Sequence, residues 1–200
     1  ISIKPHFVSP DPGPKDECDR GGYALFVGRL DPEKGVRTLL RAWKSLVDIP
    51  LKIRGDGQLL QEVNDHINSG GTSVKLIERL SEKDLFKLFK EASFLVWPSE
   101  GYYECFGLVA IQAFACAIPV IASRTGVMSE IVQDGLTGLH FIAGDSEDLA
   151  DKVRWAWDNR RLMSEMGRRG RGEFEQKYTE RRNYSELLHI YEIAQNKKAV

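Results

Sequence analysis

Residues 93–123 read SFLVWPSEGYYECFGLVAIQAFACAIPVIAS. A β-rich run, SFLVW (93–97), is broken by Pro98. A helix-period segment follows near 107–117, and a second β-rich run, IPVIA, occupies 118–122. Two short apolar strands joined by a helix make a βαβ unit, in which the strands lie parallel and are covered on both faces. The alternation extends toward the amino terminus, with strands near 23–27 (YALFV), 51–54 (LKIR) and 73–77 (SVKLI) and helices near 35–47, 58–68 and 82–91. Ser81 followed by Asp84 predicts a capped start for the helix near 82–91, and Leu85, Leu88 and Phe89 supply its apolar stripe. The expected fold is therefore α/β, a Rossmann-like, doubly wound parallel sheet with helices on both faces. Beyond 135 a short strand in GLTGLHF precedes three helices near 146–158, 160–175 and 180–195. Tyr184, Leu187, Leu188 and Tyr191 stripe the last helix and read as ordinary core.

Composition narrows the function classes. The 200 residues carry 28 Lys+Arg against 29 Asp+Glu, a net charge of −1, which argues against a nucleic-acid binder or a polybasic membrane binder. Between 160 and 182 the local balance is +4; a solvated helical face is the preferred reading, with a peripheral membrane surface as the alternative. No apolar run approaches the roughly 20 residues of a membrane span, and the start has no signal-peptide pattern, so the expected location is cytoplasmic. Cys18, Cys105 and Cys116 suggest neither a disulfide framework nor a zinc site, and His6, His66, His140 and His189 are too scattered for a metal cluster. Four of eight prolines fall within the first fourteen residues, so 1–21 reads as a linker or extended entry, 22–195 as one domain and 196–200 as a tail. A chain starting at Ile1 is expected to be a piece of a longer protein.

In an open parallel sheet, ligands bind beyond the carboxyl ends of the strands. The segments there are Gly28-Arg29, Gly55-Asp56-Gly57, Glu78-Arg79, Pro98 through Gly107 and Ser123 through Gly126. Glycines permit close backbone approach, Arg29 and Lys34 supply cations, and a helix opening at Gly107 presents free N–H groups. Together they suit a phosphate-bearing ligand. GDGQLL (55–60) lacks the third glycine of a dinucleotide fingerprint, and no GxxxxGK[ST], HExxH, GxSxG or DxD motif is present.

FVGRLDPEKG (26–35) and PSEGYYECFGLVAIQAFACAIPVIAS (98–123) closely resemble the carboxyl-terminal, donor-binding domain of GT-B glycosyltransferases of family 4, which are retaining enzymes using nucleotide-sugars. RGDGQ (54–58) and GVMSEIVQDGLTGLHF (126–141) fit as well, and the resemblance covers about 23–195. It implies one half of a GT-B fold, with the acceptor-binding amino-terminal domain absent. It further implies a hexosyl transfer from a nucleotide-sugar to a glycan or lipid-linked acceptor, without metal or other cofactor. By that resemblance Arg29 and Lys34 hold the donor diphosphate, the loop that carries Arg79 borders the base, and the N–H groups of Cys105, Phe106, Gly107 and Leu108 touch sugar and phosphate. Gly28 and Asp56, from the loops at the strand ends, join these as candidate substrate-binding residues, and 1–21 looks like the interdomain linker from the other domain.

Glu104 fills the first of the family's two carboxylate places and faces the sugar, in a positioning and electrostatic role rather than as a base. The second place, which bonds the ribose, holds Gln112, which can still accept and donate without charge. Glu78 stands where relatives commonly carry Gly, in the loop beside the base. These two departures sustain a second reading, a non-catalytic relative that binds a nucleotide or partner protein. With half of the cleft missing, the isolated domain is expected to turn over poorly. In the family the last helix returns toward the other domain, which would leave part of its stripe exposed.

Overall fold

In the computed structural model the described residues are 4–16, 21–70, 73–101, 104 and 106–196. Strands β1 (Ala24–Val27), β2 (Leu51–Arg54), β3 (Val74–Ile77), β4 (Phe94–Trp97), β5 (Val120–Ser123) and β6 (Gly138–Phe141) form one sheet in the order β3-β2-β1-β4-β5-β6, every pairing parallel. This is the doubly wound order expected from the βαβ rhythm. Strands β4 and β5 are buried along their whole length, which is why both read as unbroken apolar runs.

Helices α1 (Val36–Ala42), α2 (Leu60–Asn68), α3 (Glu82–Lys90), α4 (Leu108–Ala115), α5 (Gly126–Ile131), α6 (Ser146–Asp158), α7 (Arg160–Lys177) and α8 (Glu180–Asn196) flank the sheet. Two apolar clusters lie among them. One joins Leu39 and Trp43 of α1 to Ile53, Phe94 and Leu149. The other joins Phe89 of α3 and Phe114 of α4 to Leu95 and Val120. Helix α7 serves both, with Met163 in the first cluster and Phe174 in the second. Truncating a ring such as the fully buried Trp43 or Phe114 would cost about 3–5 kcal/mol.

The Ser81 cap forms, with Ser81 Oγ accepting from the Asp84 amide at 3.2 Å. Its hydroxyl donates to Asp84 Oδ2 at 2.6 Å. Three expectations need correction. Helix α1 stops at Ala42, not near 47: the bonds from Lys44 N to Arg41 O and from Ser45 N to Ala42 O tighten into turns, and Trp43 Nε1 donates to Ile49 O at 2.9 Å to hold the exit. Helix α5 and a 3-10 turn at Pro32–Lys34 lie in segments read as loops, being too short to show a 3.6-residue period. The α8 stripe is not core: Tyr184, Leu188 and Tyr191 are exposed and Leu187 is half-buried.

Residues 4–16 run against α3, α7 and α8 with Val8 buried. Val8 N donates to Tyr178 O, Lys15 N to Cys116 O and Lys90 Nζ to Pro12 O. Arg171 makes a two-pronged pair with Asp11 at 2.7 Å on each arm. No helix among the described residues is long and apolar enough to cross a membrane.

Candidate functional site

Strand order reverses direction between β1 and β4. Their pairing ends at Leu25↔Leu95, although β1 continues to Val27 and β4 to Trp97. Pairing therefore lapses toward their carboxyl ends, and the loops that follow the two strands meet over the crevice this leaves. A crevice of this kind is where open α/β sheets bind ligands.

The two loops are stitched together. Glu100 N donates to Glu33 O at 2.9 Å, and the buried Thr38 donates from Oγ1 to Glu100 Oε1 at 2.6 Å. Gly35, which opens α1, has φ 68°, and a Cβ there would overlap the carbonyl oxygen of Pro98. Gly107, which opens α4, has φ 69°, and a Cβ there would overlap the ring of Trp97. Only glycine suits either position, and each lets a helix amino terminus, with its free N–H groups, approach the crevice.

Lys34 Nζ donates to Glu104 Oε2 at 2.6 Å, joining residues 70 apart in sequence; both side chains are largely buried, at 19% and 16% exposed. Trp97 Nε1 at 3.3 Å and Ser99 Oγ at 3.2 Å donate to the same oxygen. Arg29, 66% exposed, pairs with Asp31 and with Glu33 at 2.9 Å. The buried Asp31 also accepts from Gln58 N through Oδ1, which ties the loop after β1 to the loop after β2. Gly28 N donates to Arg54 O, Leu30 N to Asp56 O, and Asp56 Oδ1 accepts from Gly57 N.

Of the residues singled out in the sequence, the fold thus gathers Gly28, Arg29, Lys34, Asp56, Glu104 and Gly107 around one crevice. The cations, however, are each matched by carboxylates; a largely buried ammonium needs such a partner. Gln112 lies half-buried on α4, Leu108 is exposed at its first turn, and Glu78 and Arg79 are exposed beyond β3. Cys105 lies outside the described residues, as does Cys18. Phe106 is edge-on to His6 at 4.8 Å and to Tyr178 at 6.3 Å, so the amino-terminal segment reaches the loop that carries Glu104. Burial pushes the Tyr178 phenol above its usual value. No His, Cys, Asp and Glu cluster able to hold a metal ion occurs among the described residues.

Trp97 and Thr38 fall outside the segments that the sequence singles out, and Ser99 and Glu100 lie within one of them, 98–107, without being distinguishable there by residue type. Trp97 sits in a strand buried on both faces, where an indole looks like any other apolar residue. Glu100 stands four residues before Glu104 in the same loop, and that shared loop is the available signal.

Comparison with known proteins assigns the class. A family described as glycosyl transferases group 1 matches residues 14–173. An uncharacterized glycosyltransferase from Methanocaldococcus jannaschii is 34% identical over 171 residues, covering 85% of this chain and 48% of its own length. Sucrose-phosphate synthase from Thermosynechococcus elongatus superposes with a TM-score of 0.83 at 25% identity, over 100% of this chain and 53% of that one. The Anabaena protein HepE, solved with UDP and glucose, superposes with a TM-score of 0.81 at 18% identity, over 97% of this chain and 56% of that one.

The fold is that of a GT-B glycosyltransferase domain, and the chain belongs to the glycosyl transferases group 1 family. It spans about half the length of the curated relatives it matches.

Proposed function

We propose that the chain is the donor-nucleotide-sugar-binding domain of a retaining glycosyltransferase that moves a hexosyl group from a nucleoside diphosphate sugar to a glycan or lipid-linked acceptor. The observation carrying this reading is the Lys34–Glu104 pair at the point where the β1–β4 pairing lapses, in a chain of this family. The uridine ligand of HepE supports the same class of donor.

In this reading Lys34 and Arg29 take the diphosphate, and the N–H groups opening α4 stabilise charge that grows on the leaving phosphate, so no metal is required. Glu104 sets the sugar through its carboxylate, and Gln112 holds the ribose through a neutral amide. Arg79, Glu78 and Asp56 border the base. Acceptor binding belongs to an amino-terminal domain that residues 1–21 would connect to this one, and the reaction takes place in the cytoplasm. Front-face attack, with the leaving phosphate taking the acceptor proton, needs no side-chain base from this domain.

Gln112 in the ribose position and the carboxylates matched to both cations favour one second reading, a degenerate, non-catalytic relative that binds a nucleotide or a partner protein. Calorimetric titration with UDP, GDP and ADP, each with and without Mg²⁺, tests the first reading. The expected result is micromolar, metal-independent binding of one nucleotide. Gln112→Glu separates the two readings: a donor domain binds about as well or modestly more tightly, whereas a degenerate relative that has kept only partner binding is rescued from no binding.

A further inference from the structure

Trp97 is 3% exposed and does two things at the end of β4. Its six-membered ring lies directly under Gly107, and its indole N–H donates to Glu104 Oε2. Ser99 is 2% exposed and donates to the same oxygen, as does Lys34. Three donors thus converge on Oε2, about one more than a carboxylate oxygen has lone-pair directions to serve. Oε1 accepts no bond among the described residues.

A diphosphate arriving at Lys34 competes with Glu104 for the ammonium. If Lys34 were the carboxylate's only partner, its departure would leave a largely buried charge uncompensated, and that penalty would oppose nucleotide binding. Two donors that do not move with the phosphate remove the penalty. Both are fixed for this purpose, Trp97 by packing in the apolar cluster against α4 and Ser99 by burial at the mouth of the strand.

We propose that Trp97 and Ser99 are positioning residues of the donor site: they retain Glu104 through Oε2 when a nucleotide diphosphate draws Lys34 away, which leaves Oε1 to the sugar. This rests on the donor-site reading above. Neither residue touches the nucleotide; both act through Glu104. The consequence is energetic coupling. The indole N–H and the serine hydroxyl matter to nucleotide affinity only while position 104 carries a charge.

The test is calorimetric titration of the 200-residue chain with whichever of UDP, GDP and ADP the parent binds. Trp97→Phe removes the N–H together with the outer ring carbons beneath Gly107, a packing loss that the Glu104→Gln background measures separately; Ser99→Ala removes the hydroxyl. Each, and the two together, is made with Glu104 and with Glu104→Gln. With Glu104 present, the double replacement is expected to weaken nucleotide binding about tenfold, and Ser99→Thr to retain parent affinity. Glu104→Gln alone is expected to tighten binding several-fold, because no ion pair has to open. In that background the double replacement is expected to change affinity less than twofold.

Equal losses in both backgrounds would mean that Trp97 and Ser99 act by packing, and would overturn the proposal. Parent-like affinity of the double variant with Glu104 intact would overturn it too, and both results leave the donor-site reading standing. A parent chain that binds none of the three nucleotides would overturn that reading and this inference together. Thermal unfolding checks each variant's fold, and Ser99→Ala alone completes the cycle should Trp97→Phe fail to fold.

Discussion

Of the ion pairs that join distant parts of this chain, Arg171–Asp11 and Lys34–Glu104 are built differently. Arg171 on α7 meets Asp11 through both arms of its guanidinium, and also donates to Ala115 O at 2.6 Å and Glu175 Oε1 at 2.7 Å. It is surrounded by fixed acceptors, and the Asp11 carboxyl beside it is held below its ordinary value chiefly by that contact. Lys34 in the crevice has one carboxylate partner, and that partner leaves its second oxygen unbonded among the described residues. A saturated pair fastens a segment to the fold. An unsaturated pair, lodged between two helix amino termini where the β1–β4 pairing lapses, keeps bonding capacity for something else.

The comparison breaks first at Gly107. Gly107→Ala requires a left-handed backbone and drives a methyl group into the ring of Trp97. A loss of about 3 kcal/mol in chemical denaturation is expected, together with nucleotide binding weakened more than tenfold. Little change in either would mean that the turn into α4 does not shape the crevice.

Arg171→Ala should reduce stability by about 2 kcal/mol, since the carbonyl of Ala115 and the carboxylate of Asp11 lose their donor together. Denaturant melts measure this, and nucleotide affinity should stay within twofold of the parent. A large affinity loss would erase the distinction between the two pairs.

Asp11→Asn sharpens the same point through pH. Because the carboxyl titrates below its ordinary 3.8 in the fold, its stabilisation is complete above that value and disappears as pH falls through the lower folded value. The Asn variant should be about 1 kcal/mol less stable at neutral pH and should lose less on acidification, as read from unfolding melts between pH 6 and about 2.5.

The smallest effect concerns Cys116, buried beneath the amino-terminal segment with its thiol pushed up to about 12 by desolvation. It should resist alkylation at pH 8 in the parent and react measurably faster in Arg171→Ala, as followed by intact mass.

The sheet was legible because β4 and β5 are buried on both faces and punctuated by Pro98 and Gly107, so apolar runs and breakers coincide with element ends. Helix α5 was not, since six residues give no helical period. The α8 stripe was legible as a pattern but not as to what covers it: Tyr184 and Tyr191 have the spacing of core residues and are 61% and 56% exposed. Lys34 and Glu104 could each be picked from their motifs. Their mutual bond could not, because contact between residues 70 apart depends on the strand order. Trp97 shows the reverse difficulty, a polar hydrogen hidden inside an apolar run.

The most direct test of the crevice as a diphosphate site is UDP, GDP and ADP calorimetry on the parent, Lys34→Ala and Arg171→Ala side by side, without metal. One nucleotide should bind the parent and Arg171→Ala with micromolar affinity within twofold of each other, and Lys34→Ala should bind it at least 30-fold more weakly, a difference of about 2 kcal/mol. Unchanged affinity in Lys34→Ala, or no binding by a folded parent, would contradict the assignment.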